Sequence, residues 1–169
     1  MAAPAASAAP VDAEARFVVK VNELRVAKGL PALTVDSLLV GVARSWSAKM
    51  AQAGEISHNP LLATDVTSDW IKLGENVGMG GDVDVIEAAF ERSPAHYKNL
   101  VDADFTAIGI GIVESEGAIY VTQQFQTLAA APRSNTVGAT TAGAPDALSL
   151  AMAKGRAPAK AKAKAKARR

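Results

Sequence analysis

The sequence predicts a mixed α+β domain. Two stretches near the N-terminus carry apolar residues at the 3.6-residue spacing of amphipathic helices, and two stretches between residues 106 and 126 alternate as strands do. Two consecutive helices with one apolar stripe each need a further layer to cover, because neither buries its face alone.

The first helix is expected from Asp12 to Lys28. Phe17, Val21 and Leu24 fall on one stripe, and Gly29 followed by Pro31 is a stop signal. Asn22 and Arg25 within it read, on spacing alone, as an ordinary solvated or interhelical pair. Leu30 to Leu33 is a short apolar connector. Asp36 then opens a second helix, whose Leu39, Val42, Ala43, Trp46 and Met50 keep a helical period up to Gly54.

Regularity stops at Glu55. From there to Gly81 the chain carries Asn59, Pro60, Asp65, Asp69, Asn76 and several glycines, which read as a long loop with one short helical turn around Asp65 to Lys72. Trp70 and Ile71 argue that this loop is ordered, and long ordered loops in compact domains are usually functional. Asp82 caps another helix carrying Val85, Ile86, Ala89 and Phe90. Ser93-Pro94 breaks it, and Ala95 to Leu100 forms a further turn. Strands follow over Thr106–Val113 and Ile119–Gln126, joined by a hairpin turn at Glu114 to Gly117. Gly109 and Gly111 share one face and leave a shallow track for another element, more readily a packed helix than a ligand groove.

Composition bounds the function. At 169 residues, one domain with material left over at both ends is the expectation, and 49% apolar residues suffice for a core. Cysteine is absent, which excludes disulfides, thiolate metal sites and a cysteine nucleophile. No apolar run approaches the roughly 18 residues that span a membrane. The formal charge of +1 hides a split: Lys154 to Arg169 holds eight basic residues and no acidic one, leaving ten basic against 17 acidic in residues 1–153, formally −7.

The two histidines, His58 and His96, flank Leu73-Gly74-Glu75-Asn76-Val77-Gly78. Histidine suits both metal ligation and proton exchange near neutrality. Each imidazole is open to two readings, a site residue or the closure of a loop through a backbone carbonyl.

Together the motifs resemble the CAP superfamily, which groups cysteine-rich secretory proteins, antigen 5 and pathogenesis-related group 1 proteins and is also called the SCP domain. The resemblance is carried by Asn22-Glu23-Leu24-Arg25, Gly29-Leu30-Pro31-Ala32-Leu33, His58, Gly74-Glu75-Asn76, Ser93-Pro94-Ala95-His96-Tyr97-Lys98-Asn99 and Tyr120-Val121-Thr122-Gln123-Gln124-Phe125, in order and spacing over about residues 12–128. It implies a three-layer α-β-α sandwich, a small antiparallel sheet between helices, with a solvent-open cleft. It implies that His58, Glu75 and His96 line that cleft and hold a divalent ion such as Zn2+. The family's second acidic residue falls by spacing near Ser93, with Glu91 close by but turned differently, so three members carry over. It also implies a secreted or cell-envelope location.

Two imidazoles and a carboxylate suit a zinc site with an open position, and such a metal would acidify a bound water. The same three groups without metal would form a hydrogen-bonded cluster fixing loops. Residues 1–11 read as a disordered leader without the basic and apolar regions of a signal peptide, residues 129–153 as an Ala/Pro/Gly/Thr linker, and residues 154–169 as a disordered basic Ala-Lys tail. The tail suits anionic envelope polymers or, in a cytoplasmic setting, nucleic acid, although it lacks aromatic residues to stack on bases. The expectation is a binding module rather than an enzyme. The cleft would take a metal or small ligand. The alternatives are a metal-dependent hydrolase of peptide or envelope material, and a structural interaction domain with a vestigial cleft.

Overall fold

The computed structural model describes residues 9–129. The linker expected at 129–153 beyond its first residue, the tail at 154–169 and the leader before residue 9 lie outside the described residues. Helix α1 spans Ala9–Ala27, strand β1 Thr34–Val35, helix α2 Ser37–Ala53, helix α3 Leu62–Asp65, strand β2 Trp70–Gly80, helix α4 Val83–Arg92, helix α5 Pro94–Leu100, and strands β3 and β4 Ala107–Ser115 and Ala118–Leu128. Helix α1 therefore takes in the last three residues of the expected leader. Pro10 lies in its first turn, where backbone N–H groups have no helical acceptor, so proline costs no hydrogen bond there.

The four strands order as β1-β3-β4-β2. β3 and β4 pair antiparallel through a tight turn at Glu116-Gly117, both with positive φ (52° and 79°), the twist that two-residue hairpins prefer. β2 pairs antiparallel with β4 at the other side. The short β1 adds a parallel edge, Thr34 and Val35 opposite Ala107 and Ile108, a pairing absent from the sequence expectation of an antiparallel sheet.

One face of the sheet carries the main core. Phe17 and Val21 of α1, Ile86 and Phe90 of α4 and Leu100 of α5 pack with Ile108, Ile110, Ile112, Val121 and Phe125. Helix α2 covers the opposite face, where Met50 meets Val77 and Tyr120. Asp36 accepts from the Leu39 N–H at 3.0 Å at the start of α2, and Gly54, in the left-handed region, closes its end. A Cβ at Gly109 would collide with the backbone at Leu39, and one at Gly111 with that at Ala43 and Arg44. The glycine track read from the sequence is the seat of α2.

Two readings are corrected. The stretch expected to be loop holds an 11-residue strand, β2, and the helical turn comes earlier, as α3. Its glycines mask the alternation: a Cβ at Gly74 would lie 2.7 Å from Phe105, and one at Gly78 2.8 Å from Phe90, so core side chains occupy the space that strand residues normally fill. Arg25 is not a solvated partner either; it is fully buried. Its guanidinium donates to the carbonyls of Pro31 (2.9 Å), Leu100 (3.0 Å), Asp102 (2.9 Å) and Phe105 (3.3 Å). Asn22 brackets Leu33, accepting from its N–H at 2.8 Å and donating to its carbonyl at 3.1 Å.

Candidate functional site

The site is built on β2. Glu75 and Asn76 are neighbours in a strand, so their side chains leave opposite faces of the sheet. Each ties down one of the segments that carry the histidines.

Glu75 serves the loop after α2. Its Oε1 accepts from Nδ1 of His58 at 2.9 Å and from the Asn59 N–H at 2.9 Å, and its Oε2 accepts from Nε2 of Gln124 at 3.2 Å. The carboxylate is buried while the imidazole it holds is two-thirds exposed, with side-chain exposures of 5% and 66%. An ionised carboxylate only accepts, so the proton between His58 and Glu75 sits on Nδ1 and the exposed Nε2 is left for a ligand or, when protonated, as a donor. Further contacts fix the loop. Nε1 of Trp46 donates to the Ser57 carbonyl at 2.7 Å, and Nδ2 of Asn59 donates to Asp65 at 3.0 Å.

Asn76 serves α5. Its Nδ2 donates to the carbonyl of His96 at 3.3 Å and to Oε1 of Gln123 at 3.0 Å, and its Oδ1 accepts from Nδ2 of Asn99 at 2.9 Å. Asn99 also donates to the Glu75 carbonyl at 3.1 Å. The His96 ring, half-buried, rests on Phe90 with centroids 4.9 Å apart and places Nδ1 2.9 Å from Oγ of Ser93. Burial, and secondarily the charge of His58, hold the His96 pKa below the usual histidine value.

The structure thus joins His58 to Glu75 directly, and joins His96 to the same strand through its main chain. Among the described residues, no group of three or more His, Asp or Glu side chains is arranged to hold a metal ion. In this arrangement His58, Glu75 and His96 are not a preformed three-ligand set. The physical reason is visible at Glu75, whose two oxygens are already engaged by three donors.

Sequence reasoning passed over Ser93 as a partner of His96, and it passed over Asn76, Asn99, Gln123, Gln124 and Glu87. A signal was present. Gln123, Gln124 and Gln126 are three amides within four residues of one strand, and all are fully buried, which requires internal partners.

With this geometry in hand, the comparison with known proteins is decisive at the family level. The family model described as the cysteine-rich secretory protein family, CAP, matches residues 18–125. The chain belongs to this family. This CAP chain is 33% identical over 122 residues to the uncharacterized protein YkwD of Bacillus subtilis (strain 168), covering 66% of the chain and 46% of that relative. It therefore spans about half the length of the curated relative it matches. An extracellular protein containing an SCP domain from Bacillus anthracis has the same fold, with a TM-score of 0.62 at 24% identity over 70% of this chain and 41% of that one. The crystal structure of NaASP2 with Zn2+ also shares the fold, with a TM-score of 0.51 at 16% identity over 68% of this chain and 78% of that one. Among the described residues, no helix of this CAP domain is long and apolar enough to cross a membrane.

Proposed function

We propose that this CAP domain is a ligand-binding module of the cell envelope or extracellular space, and that its ligand is a divalent cation, or a small molecule, held by His58 and His96. The observation that carries this reading is that both imidazoles are anchored through Nδ1, one by Glu75 and one by Ser93, which leaves Nε2 of each ring without a hydrogen-bond partner among the described residues. This is how metal-binding histidines are usually prepared, with a second group fixing tautomer and ring orientation. The donor chemistry fits zinc or a similar borderline ion at two nitrogens, with Glu75 as the orienting partner of His58 rather than a third ligand. A bound cation would supply Lewis acidity; the chain's own residues supply orientation. Lowering of the His96 pKa favours the neutral ring that ligation requires. Support for an external setting comes from family membership and from the extracellular SCP-domain protein that shares the fold. Residues 154–169, with eight basic residues, would add electrostatic attachment to anionic envelope polymers.

Calorimetric titration with Zn2+ at neutral pH tests the site. One binding event is expected in the full chain, lost in His58→Ala and in His96→Ala. Equal heats from all three proteins would exclude the proposed ligands.

A further inference from the structure

Glu87 is a buried carboxyl that the binding site does not use. It lies on α4 with 1% of its surface exposed. Its Oε2 accepts from Nε2 of Gln123 at 2.7 Å, and its Oε1 is buried with no hydrogen-bond partner. Such an orphan oxygen is costly in either state: as part of a carboxylate it lacks a donor, and a proton placed on it lacks an acceptor.

What Gln123 does next gives this group reach. Asn99 Nδ2 donates to Asn76 Oδ1 at 2.9 Å, Asn76 Nδ2 donates to Gln123 Oε1 at 3.0 Å, and Gln123 Nε2 donates to Glu87. Three consecutive side-chain amides all point their donors toward Glu87. An ionised Glu87 imposes that direction on Gln123, because it can only accept, and the His96 and Glu75 carbonyls hold Asn76 and Asn99 in the same sense. A protonated Glu87 lifts the constraint at Gln123. Its O–H can donate to Gln123 Oε1, the Gln123 amide then donates to Asn76 Oδ1, and Asn76 Nδ2 donates to Asn99 Oδ1. In this reversed state Asn99 no longer donates to the Glu75 carbonyl, and Asn76 no longer donates to the His96 carbonyl.

We propose that the protonation state of Glu87 sets the direction of this Gln123–Asn76–Asn99 relay, and through it how α5 and His96 are seated against β2. Charged and titratable groups around Glu87 are consistent with a poised group. Burial is the dominant influence and pushes its pKa up to about 7; the Gln123 N–H opposes this, Glu91 one turn along α4 reinforces it, and Lys20 of α1 opposes it. Lys20 is itself engaged by Asp84 at 2.7 Å, which weakens its pull. From α5, His96 turns its ring to Phe90 and its Nδ1 to Ser93, and β2 contributes the uncharged Asn76. The relay stands on its own geometry. Its consequence for ligand binding rests on the reading of His96 as a site residue.

The test is nuclear magnetic resonance of the isotopically labelled full chain between pH 5 and 9. The Glu87 carboxyl carbon, the side-chain NH2 signals of Gln123, Asn76 and Asn99, and the His96 ring are followed together. The expected result is that the three amides move with the Glu87 midpoint near neutrality, and that in Glu87→Gln they lose this transition while the His96 ring still titrates. Amides that stay fixed in the wild-type chain, or that titrate unchanged in Glu87→Gln, would overturn the relay. So would a Glu87 carboxyl already ionised at pH 5, a reading that needs no variant. Because no metal is present in these spectra, loss of the zinc event would remove the binding reading and leave the relay intact.

Discussion

At the scale of single residues, the decisive side chains are polar and buried, and their partners are mostly backbone. Arg25 offers its donors to four carbonyls from the chain that leaves α1 and the chain that leaves α5. Removing it in Arg25→Met leaves those carbonyls inside without donors, for an expected loss on the order of 3 kcal/mol by denaturant unfolding. Arg25→Lys should recover only part, since an ammonium cannot span the same fork. A second contrast separates architecture from ligation. Glu75→Ala strips acceptors from the buried Asn59 N–H and the Gln124 amide and should cost about 2–3 kcal/mol. His58→Ala removes an exposed ring and should cost less than about 1 kcal/mol while abolishing the zinc event. Equal destabilisation by the two variants would argue that the pair is a structural unit. The Gly-Glu-Asn order and both histidines were legible in the sequence. The sorting of Glu75 and Asn76 onto opposite faces was not, because it needs the knowledge that this segment is a strand.

At the scale of elements, α1, α2, α4, the hairpin and their caps follow from periodicity and turn chemistry, and Asp36, Gly54 and Asp82 act where the sequence places them. β2 is hidden for a physical reason: three of its six even positions are glycine, so the alternating signal of a half-buried strand is carried by Phe105, Phe90 and Ile86 from other elements. β1 escaped notice because two residues make no period. The glycine seat of α2 gives a clean prediction. Gly111→Ala puts a methyl into the backbone of α2 and should destabilise by about 2–3 kcal/mol, whereas Gly41→Ala, on the exposed side of α2 with nothing within 4 Å, should stabilise by about 0.5–1 kcal/mol. Thermal unfolding of both variants decides this. If Gly111→Ala were neutral, α2 would have to ride further from β3 than the structure places it.

At the scale of the whole molecule, buried ionisable groups make stability depend on pH, and their signs differ. Glu87 has a folded pKa raised from 4.5 to about 7, so in the folded state it holds its proton where the unfolded chain has lost it. Its contribution is fully present below about pH 4.5 and is lost as pH rises toward 7. His96 has a folded pKa below 6.5, so its contribution is present above that value and is lost as pH falls. Between these values the two oppose each other, which flattens the profile of the wild-type chain. Glu87→Gln removes one side of the balance while keeping volume and the bond to Gln123. The variant should therefore gain relative to wild type as pH rises, with the difference growing by about 2–3 kcal/mol between pH 4.5 and pH 7.5 and constant above it. Urea unfolding at three pH values measures this directly. A difference independent of pH would mean that Glu87 ionises in the folded protein as freely as in the unfolded chain, and the amide relay beneath the histidines would then have no switch at its end.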